Sequence, residues 1–202
     1  MLKELFESHF YSTFPKVENK VLMLDESIVT GDVLLVDPNA CNGCKLVCSE
    51  VPEEREQLKV YADQVVSIIS IDQVFSFVRE NVGDICDYML DTTNTTILVE
   101  MTCSTSEHVI GKRQKARGQL YNTLCQLYAN PVVRDHIEQN SIRYVVFSWK
   151  ETFPKENVMD NIESSMKGMT VLTDVVYSSD NESKFDFGFK LKEVRYPDRL
   201  VC

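Results

Sequence analysis

No stretch of this chain approaches the roughly 18 consecutive apolar residues of a membrane-crossing helix. The first residues, Glu4 and Glu7 among them, lack the basic-then-apolar order of a secretory leader. A cytoplasmic protein without a membrane partner is the expectation. Histidine is scarce, with His9, His108 and His136 as the only three. A Cys–His or Ser–His nucleophile therefore has to be assembled from distant parts of the chain, and no spacing favours one. P-loop, G-x-G-x-x-G and H-E-x-x-H motifs are missing, and with them the sequence warrant for the chemistries they serve. Internal repeats and low-complexity segments are missing too. Cations are in deficit, 21 Lys and Arg against 31 Asp and Glu, for a formal net charge of −10. Non-specific phosphate affinity comes from counterion release by Lys and Arg, so this is no broad coat for DNA, and any nucleic-acid contact must be local.

What remains is an ordinary globular composition, 44% hydrophobic and 26% charged over 202 residues, enough for one domain spanning 1–202. Seven cysteines without a leader point to reduced thiols or a metal rather than a disulfide framework. Three of them, Cys41, Cys44 and Cys48, form a C-x₂-C-x₃-C cluster on a loop at 38–52. Two thiolates of a C-x₂-C knuckle converge on one tetrahedral Zn²⁺, and a fourth ligand from Cys86, Cys103, His108 or Cys202 would close the site. A four-cysteine iron–sulfur cluster is the other metal reading, and free thiols on a mobile loop are the alternative to both.

In chain order, Leu2, Leu5, Phe6, His9, Phe10 and Phe14 recur at helical spacing until Pro15. His9 on that stripe reads as a core or boundary residue. Val21 to Leu24 and Val33 to Val36 read as short strands, the second entered through a turn at Gly31-Asp32. Val60 to Ser70 is apolar and β-branched enough for a strand, although periodicity does not separate strand from helix there. A helix follows over Asp72 to Glu80, with Val74, Phe75, Phe77 and Val78 inward and Gly83 as its stop, and Glu80 is a candidate to assist a metal site. Ile142 to Trp149 is a strong, central strand. The extension over 155–202 carries a helical segment at Val158 to Met166 and a hairpin of Thr170 to Tyr177 with Phe185 to Val194.

Two strands, 85–90 and 96–103, flank the polar segment Asp91 to Thr95 and predict a hairpin. A turn symmetric about Thr93-Asn94 sets Asp87 across from Glu100 with Cβ atoms about 5 Å apart, and Thr102 on the same face. Opposed carboxylates repel, and a hard divalent cation such as Mg²⁺ or Mn²⁺ removes the conflict. Two acids on a solvated sheet face are one alternative, and a three-residue loop, which would put the two on opposite faces, is another. Ser104-Thr105-Ser106-Glu107 has the form of a capping box, and a helix then runs over Thr105 to Ala129, ended by Asn130-Pro131. Ala116, Leu120, Leu124 and Leu127 give its buried stripe, with Lys112, Lys115 and Gln119 on a neighbouring one. A strand advancing about 3.3 Å per residue, matched by a returning helix at about 1.5 Å, brings Glu100 level with Lys112 or Lys115. Lys112, Arg113, Lys115 and Arg117 form the one local basic cluster, a candidate nucleic-acid contact or else a solvated helix face.

Cys86-Asp87-Tyr88-Met89-Leu90, Leu98-Val99-Glu100-Met101-Thr102 and Ala116-x-x-Gln119-Leu120-x-x-Thr123 together resemble the core of the PD-(D/E)XK nuclease superfamily, over about residues 70–150. The resemblance implies an α/β, restriction-endonuclease-like mixed sheet flanked by helices. It also implies Mg²⁺ or Mn²⁺ held by Asp87 and Glu100, with a lysine of the second strand activating water for phosphodiester hydrolysis. That lysine position is Thr102 here. Some members of the superfamily carry the lysine on the neighbouring helix, which suits Lys112 or Lys115, with Gln119 positioning substrate or metal-bound water. The same departure suits a catalytically inactive relative that binds nucleic acid or a protein partner, a second copy included.

Overall fold

The computed structural model describes residues 2–14, 24–36, 57–78, 83–105, 107–152 and 183–202. The Cys41, Cys44 and Cys48 cluster, Glu80, the segment Val158 to Met166 and the strand Thr170 to Tyr177 lie outside the described residues. Within them the protein is a mixed α/β fold built on an eight-stranded mixed sheet. No helix among the described residues is long and apolar enough to cross a membrane.

The chain enters through helix α1 (Leu2–Leu5), which loosens into a π turn at Phe6–Phe10 and tightens into a 3₁₀ turn at Tyr11–Thr13. Leu2, Phe6 and Phe10 are buried as the stripe predicts, and Phe10 makes an edge contact with Phe75 at 5.4 Å. Strand β1 (Glu26–Val36) pairs antiparallel with β2 (Gln57–Ser70), so the ambiguous apolar run is a strand. The expected turn at Gly31-Asp32 is instead an irregularity inside β1. The register shifts between Val29 and Gly31, and Gly31 takes φ +81°, a conformation available to glycine without a Cβ clash.

Helix α2 (Ile71–Ser76) is shorter than the predicted Asp72 to Glu80, and Ser70 caps it by accepting from the Gln73 N–H. Strands β3 (Tyr88–Asp91) and β4 (Thr95–Ser104) form the predicted hairpin. Helix α3 (Val109–Tyr128) crosses back over the sheet, α4 (Pro131–Gln139) follows directly, and β5 (Ile142–Glu151) lies parallel to β4. After β6 (Ser183–Lys184) come β7 (Lys190–Arg195), parallel to β5, and β8 (Arg199–Val201), parallel to β2. The sheet order is β1-β2-β3-β4-β5-β7-β6, with β8 joining through β2.

Three expectations need correction. The capping box does not form, because parallel pairing with β5 draws Ser104 into β4 and Thr152 N donates to Ser104 O at 3.0 Å. The helix opens four residues later than expected, at Val109 behind His108, with no side-chain cap. Asn130-Pro131 ends α3 but also starts α4: the Asn130 side chain accepts from the Val132 and Val133 N–H groups, both at 3.0 Å, and Pro131 occupies the first helical turn. The strand expected from Phe185 begins only at Lys190, since Asp186–Gly188 coils into a 3₁₀ turn.

Side chains of the sheet alternate between two cores. On the helical face Met89, Leu98, Val145 and Leu191 meet Leu120, Leu124 and Phe10. On the other face Leu90, Ile97, Val99 and Val146 meet Leu35, Leu58, Val60 and Leu200. Residues of β1, β2 and β8 share a core with β5, so the long strands β1 and β2 curl over the sheet they belong to. Fully buried Tyr88 fastens this fold-over by donating its hydroxyl to Val36 O.

Candidate functional site

The register of β3 on β4 couples Tyr88 to Val99, Met89 to Leu98 and Leu90 to Ile97. One step further, Asp87 faces Glu100, and the period-two alternation puts both on the face of Met89 and Leu98, under α3. Thr102 follows on that face, and Glu100 and Thr102 are buried to 8% and 7% exposure. Asp87 is fixed by three hydrogen bonds. Its N–H donates to Val99 O at 3.0 Å, its carbonyl accepts from Ile71 N at 2.9 Å, and its Oδ2 accepts from Met101 N at 2.7 Å.

The lead-in to Asp87 leaves regular strand geometry, so its buried backbone groups need side-chain partners. Helix α3 supplies them. Gln119 Nε2 donates to Ile85 O at 2.9 Å, Thr123 Oγ1 accepts from Cys86 N at 2.9 Å, and Asn122 Nδ2 donates to Asp84 O at 3.0 Å. Lys115 Nζ lies 3.6 Å from Asp84 Oδ2, with both side chains largely exposed. One edge of α3 thereby holds the strand that carries Asp87. Burial pushes the Cys86 thiol well above its ordinary range. The Thr123 hydrogen bond counters this in part, while the negative charges of Glu100, Asp87 and Asp72 add to it. A thiol held neutral in this way is inert as a nucleophile.

The opposite edge of α3 is tied to β7. Arg113 grips Glu193 with Nε 2.7 Å from Oε1 and Nη2 donating to Oε2 at 2.8 Å. Arg117 stacks its guanidinium 5.2 Å from the Phe185 ring centroid. Of the predicted basic cluster, Lys112 stays exposed on the first turn. Along the sheet, Glu100 pairs with Phe147 and Phe147 with Glu193, while Thr102 pairs with Trp149 and Trp149 with Arg195.

Among the described residues no three of His, Cys, Asp and Glu converge as a metal-ligand set. Two carboxylates, one of them oriented by a backbone N–H, suit a hard cation that keeps most of its water and takes further oxygens from a phosphate; they do not suit zinc in a closed site.

A second polar cluster was not legible in the sequence. Asp91, at the turn end of β3, accepts from Asn140 Nδ2 and Thr96 Oγ1, both at 2.9 Å, and lies 2.9 Å from His136 Nε2. Asn140 also donates to Thr96 Oγ1 at 2.7 Å. This network joins the end of α4 to the hairpin, and the position of Asp91 beside a turn gave no sign of it. Comparison with protein-family models, with curated proteins and with solved structures finds no match to this chain.

Proposed function

We propose that the protein is a divalent-metal-dependent nuclease with a restriction-endonuclease-like core, hydrolysing nucleic-acid phosphodiester bonds at Asp87 and Glu100. The observation that carries this reading is the hairpin register, which faces Asp87 toward Glu100 on the helix-covered side of the sheet. The succession α2, β3–β4 hairpin, α3 and parallel β5 supports it, being the order of elements that the sequence resemblance implies. Asp87 and Glu100 would hold Mg²⁺ or Mn²⁺, which when bound supplies an acidified water and charge neutralisation at the phosphate. Asp87 Oδ2 stays oriented through Met101 N–H, and Gln119 contributes by anchoring the strand that bears Asp87. Lys112 is the assigned charge stabiliser, because Lys115 is engaged with Asp84.

The second reading, an inactive nuclease-fold module that binds nucleic acid or protein, draws on Thr102 at the lysine position and on the use of Arg113 and Lys115 in ion pairs. One experiment separates the two. Purified protein is incubated with single- and double-stranded DNA and RNA in Mg²⁺, Mn²⁺ or EDTA, beside Glu100→Gln, Lys112→Ala and Lys115→Ala. The nuclease reading requires metal-dependent cleavage that Glu100→Gln abolishes, since a neutral amide has little attraction for a hard cation. Lys112→Ala should lower turnover about 10²-fold, the scale of losing one positioned charge stabiliser. Cleavage indifferent to Glu100→Gln belongs to a contaminant or to a different site. No cleavage, together with no rise in melting temperature on adding Mg²⁺, leaves the binding module.

A further inference from the structure

The C-terminal ends of β4, β5 and β7 lie side by side and gather cations around aromatic rings. Arg195, beside Trp149 in the sheet, holds its guanidinium 4.9 Å from the indole centroid and pairs with Glu151. One residue on, Tyr196 N–H donates to Trp149 O at 2.9 Å, which sets Tyr196 at the rim of the sheet. Two ammonium groups converge on its ring, Lys150 Nζ at 4.6 Å and Lys59 Nζ at 5.1 Å from the centroid. Lys59 comes from β2 where that strand pairs with Arg199 of β8, and Arg199 in turn lies 5.7 Å over the ring of Tyr61, which is 38% exposed.

Arg195 and Arg199 have carboxylate partners in Glu151 and Asp32. Among the described residues Lys59 and Lys150 have none, and their contacts are with the Tyr196 ring. Sharing one ring puts the two ammoniums within about 10 Å of each other, no more than a Debye length, so their repulsion is only partly screened. In a chain of net charge −10 this is a local concentration of positive charge that a polyanion would relieve. The rings narrow the choice of polyanion. Aromatic faces beside a cationic strip suit a strand whose bases are free to stack, whereas a duplex offers phosphates and keeps its bases paired.

Resting on the nuclease reading above, we propose that this rim is a track for single-stranded nucleic acid, in which Tyr196 and Tyr61 stack on bases and Lys59 and Lys150 hold phosphates.

The test measures fluorescence anisotropy of labelled dT12, and of its duplex with dA12, in EDTA so that binding is read without cleavage. The expected result is tighter binding of dT12 than of the duplex. Lys59→Ala/Lys150→Ala should weaken dT12 binding about tenfold or more and flatten the slope of log K against log salt by about 1.4, since each single-strand phosphate contact contributes about 0.7. Tyr196→Leu should lose about fivefold or more, and Tyr196→Phe should restore it, because the stacking face is kept. Thermal melts by circular dichroism confirm that each variant is folded. Undiminished binding by the double lysine variant, preference for duplex, or no binding of dT12 at low salt overturns the track. Poly-glutamate competing as well as dT12 overturns it in favour of an acidic protein partner. Glu100→Gln keeps the two proposals apart: cleavage that survives loss of the rim sinks only the track, and rim-dependent binding without metal-dependent cleavage sinks only the hydrolysis.

Discussion

Thr123→Val tests whether α3 positions the candidate site through its hydrogen bonds to the Asp87 lead-in. The Thr123 hydroxyl accepts from Cys86 N at 2.9 Å and donates to Gln119 O at 2.9 Å, and both Thr123 and Cys86 are at 0% exposure. Valine keeps the shape and β-branching of threonine, so no cavity opens and the substitution isolates the hydroxyl. What it leaves is a buried Cys86 N–H without an acceptor, which costs about 1–3 kcal/mol. For a chain of this size about 2 kcal/mol corresponds to a fall in Tm of about 4–8 °C. Urea denaturation and thermal melts, monitored by circular dichroism, read the loss directly. Thr123→Ser keeps the acceptor and removes a methyl group, so it should cost about 1 kcal/mol, the scale of one buried methyl. The lead-in is also the anchor of Asp87, one residue on, so any rise in Tm on adding Mg²⁺ should shrink in Thr123→Val and persist in Thr123→Ser. Wild-type stability in Thr123→Val, or a larger loss in Thr123→Ser than in Thr123→Val, would refute the reasoning.

Asn140→Ala removes two buried donations, to Asp91 and to Thr96, and should cost about 2 kcal/mol in urea denaturation. His136→Ala, at a side chain 31% exposed, should cost less than about 1 kcal/mol. Alkaline pH should destabilise the fold through two thiols, the buried Cys86 and the half-buried Cys202. Burial pushes Cys86 well up and Cys202 up to about 12. The folded state therefore holds these protons where the unfolded chain releases them, near its ordinary thiol value of about 8.5. Stability is full below that pH and falls above it toward the folded values, by about 1.4 kcal/mol per pH unit for each thiol. Urea midpoints at pH 8 and pH 10.5 check this, and Cys86→Ala should flatten the slope whatever its effect at pH 8.

The hairpin was readable because its signals are local and mutually consistent. A polar turn between two β-branched runs fixes a register, and that register decides which carboxylates meet. The buried stripe of α3 was readable for the same reason, and Ala116, Leu120, Leu124 and Leu127 are all in the core. Where local signals compete, long-range pairing decides. Ser104 has the chemistry of a cap, but its backbone is taken by β5, so the helix starts where the strand releases the chain. Asn130-Pro131 is as good a beginning as an ending, and α4 was hidden by being read one way only. Gly31-Asp32 has turn composition, yet ten residue pairs with β2 carry β1 through it with a single register shift.

The basic run of α3 shows most plainly what spacing along a chain leaves open. Four cations within six residues look like a nucleic-acid contact because sequence gives their proximity to one another and not to the acids of other segments. In the fold Arg113 meets Glu193 of β7, Lys115 meets Asp84, and Arg117 lies on Phe185. These contacts fasten the two edges of the helix to opposite parts of the sheet. Because α3 also holds Ile85 and Cys86 through Gln119 and Thr123, the same helix fixes the Asp87 lead-in relative to β7 and the rim beyond it. Lys59 and Lys150, neither of which has a carboxylate partner among the described residues, sit 91 positions apart in the sequence and meet at Tyr196, a third distant segment. A charge cluster assembled by tertiary contacts leaves no run to read. The sheet rim therefore carries a local positive charge that no run in this acidic chain announces, while Arg113, Lys115 and Arg117 of the basic helix serve as braces.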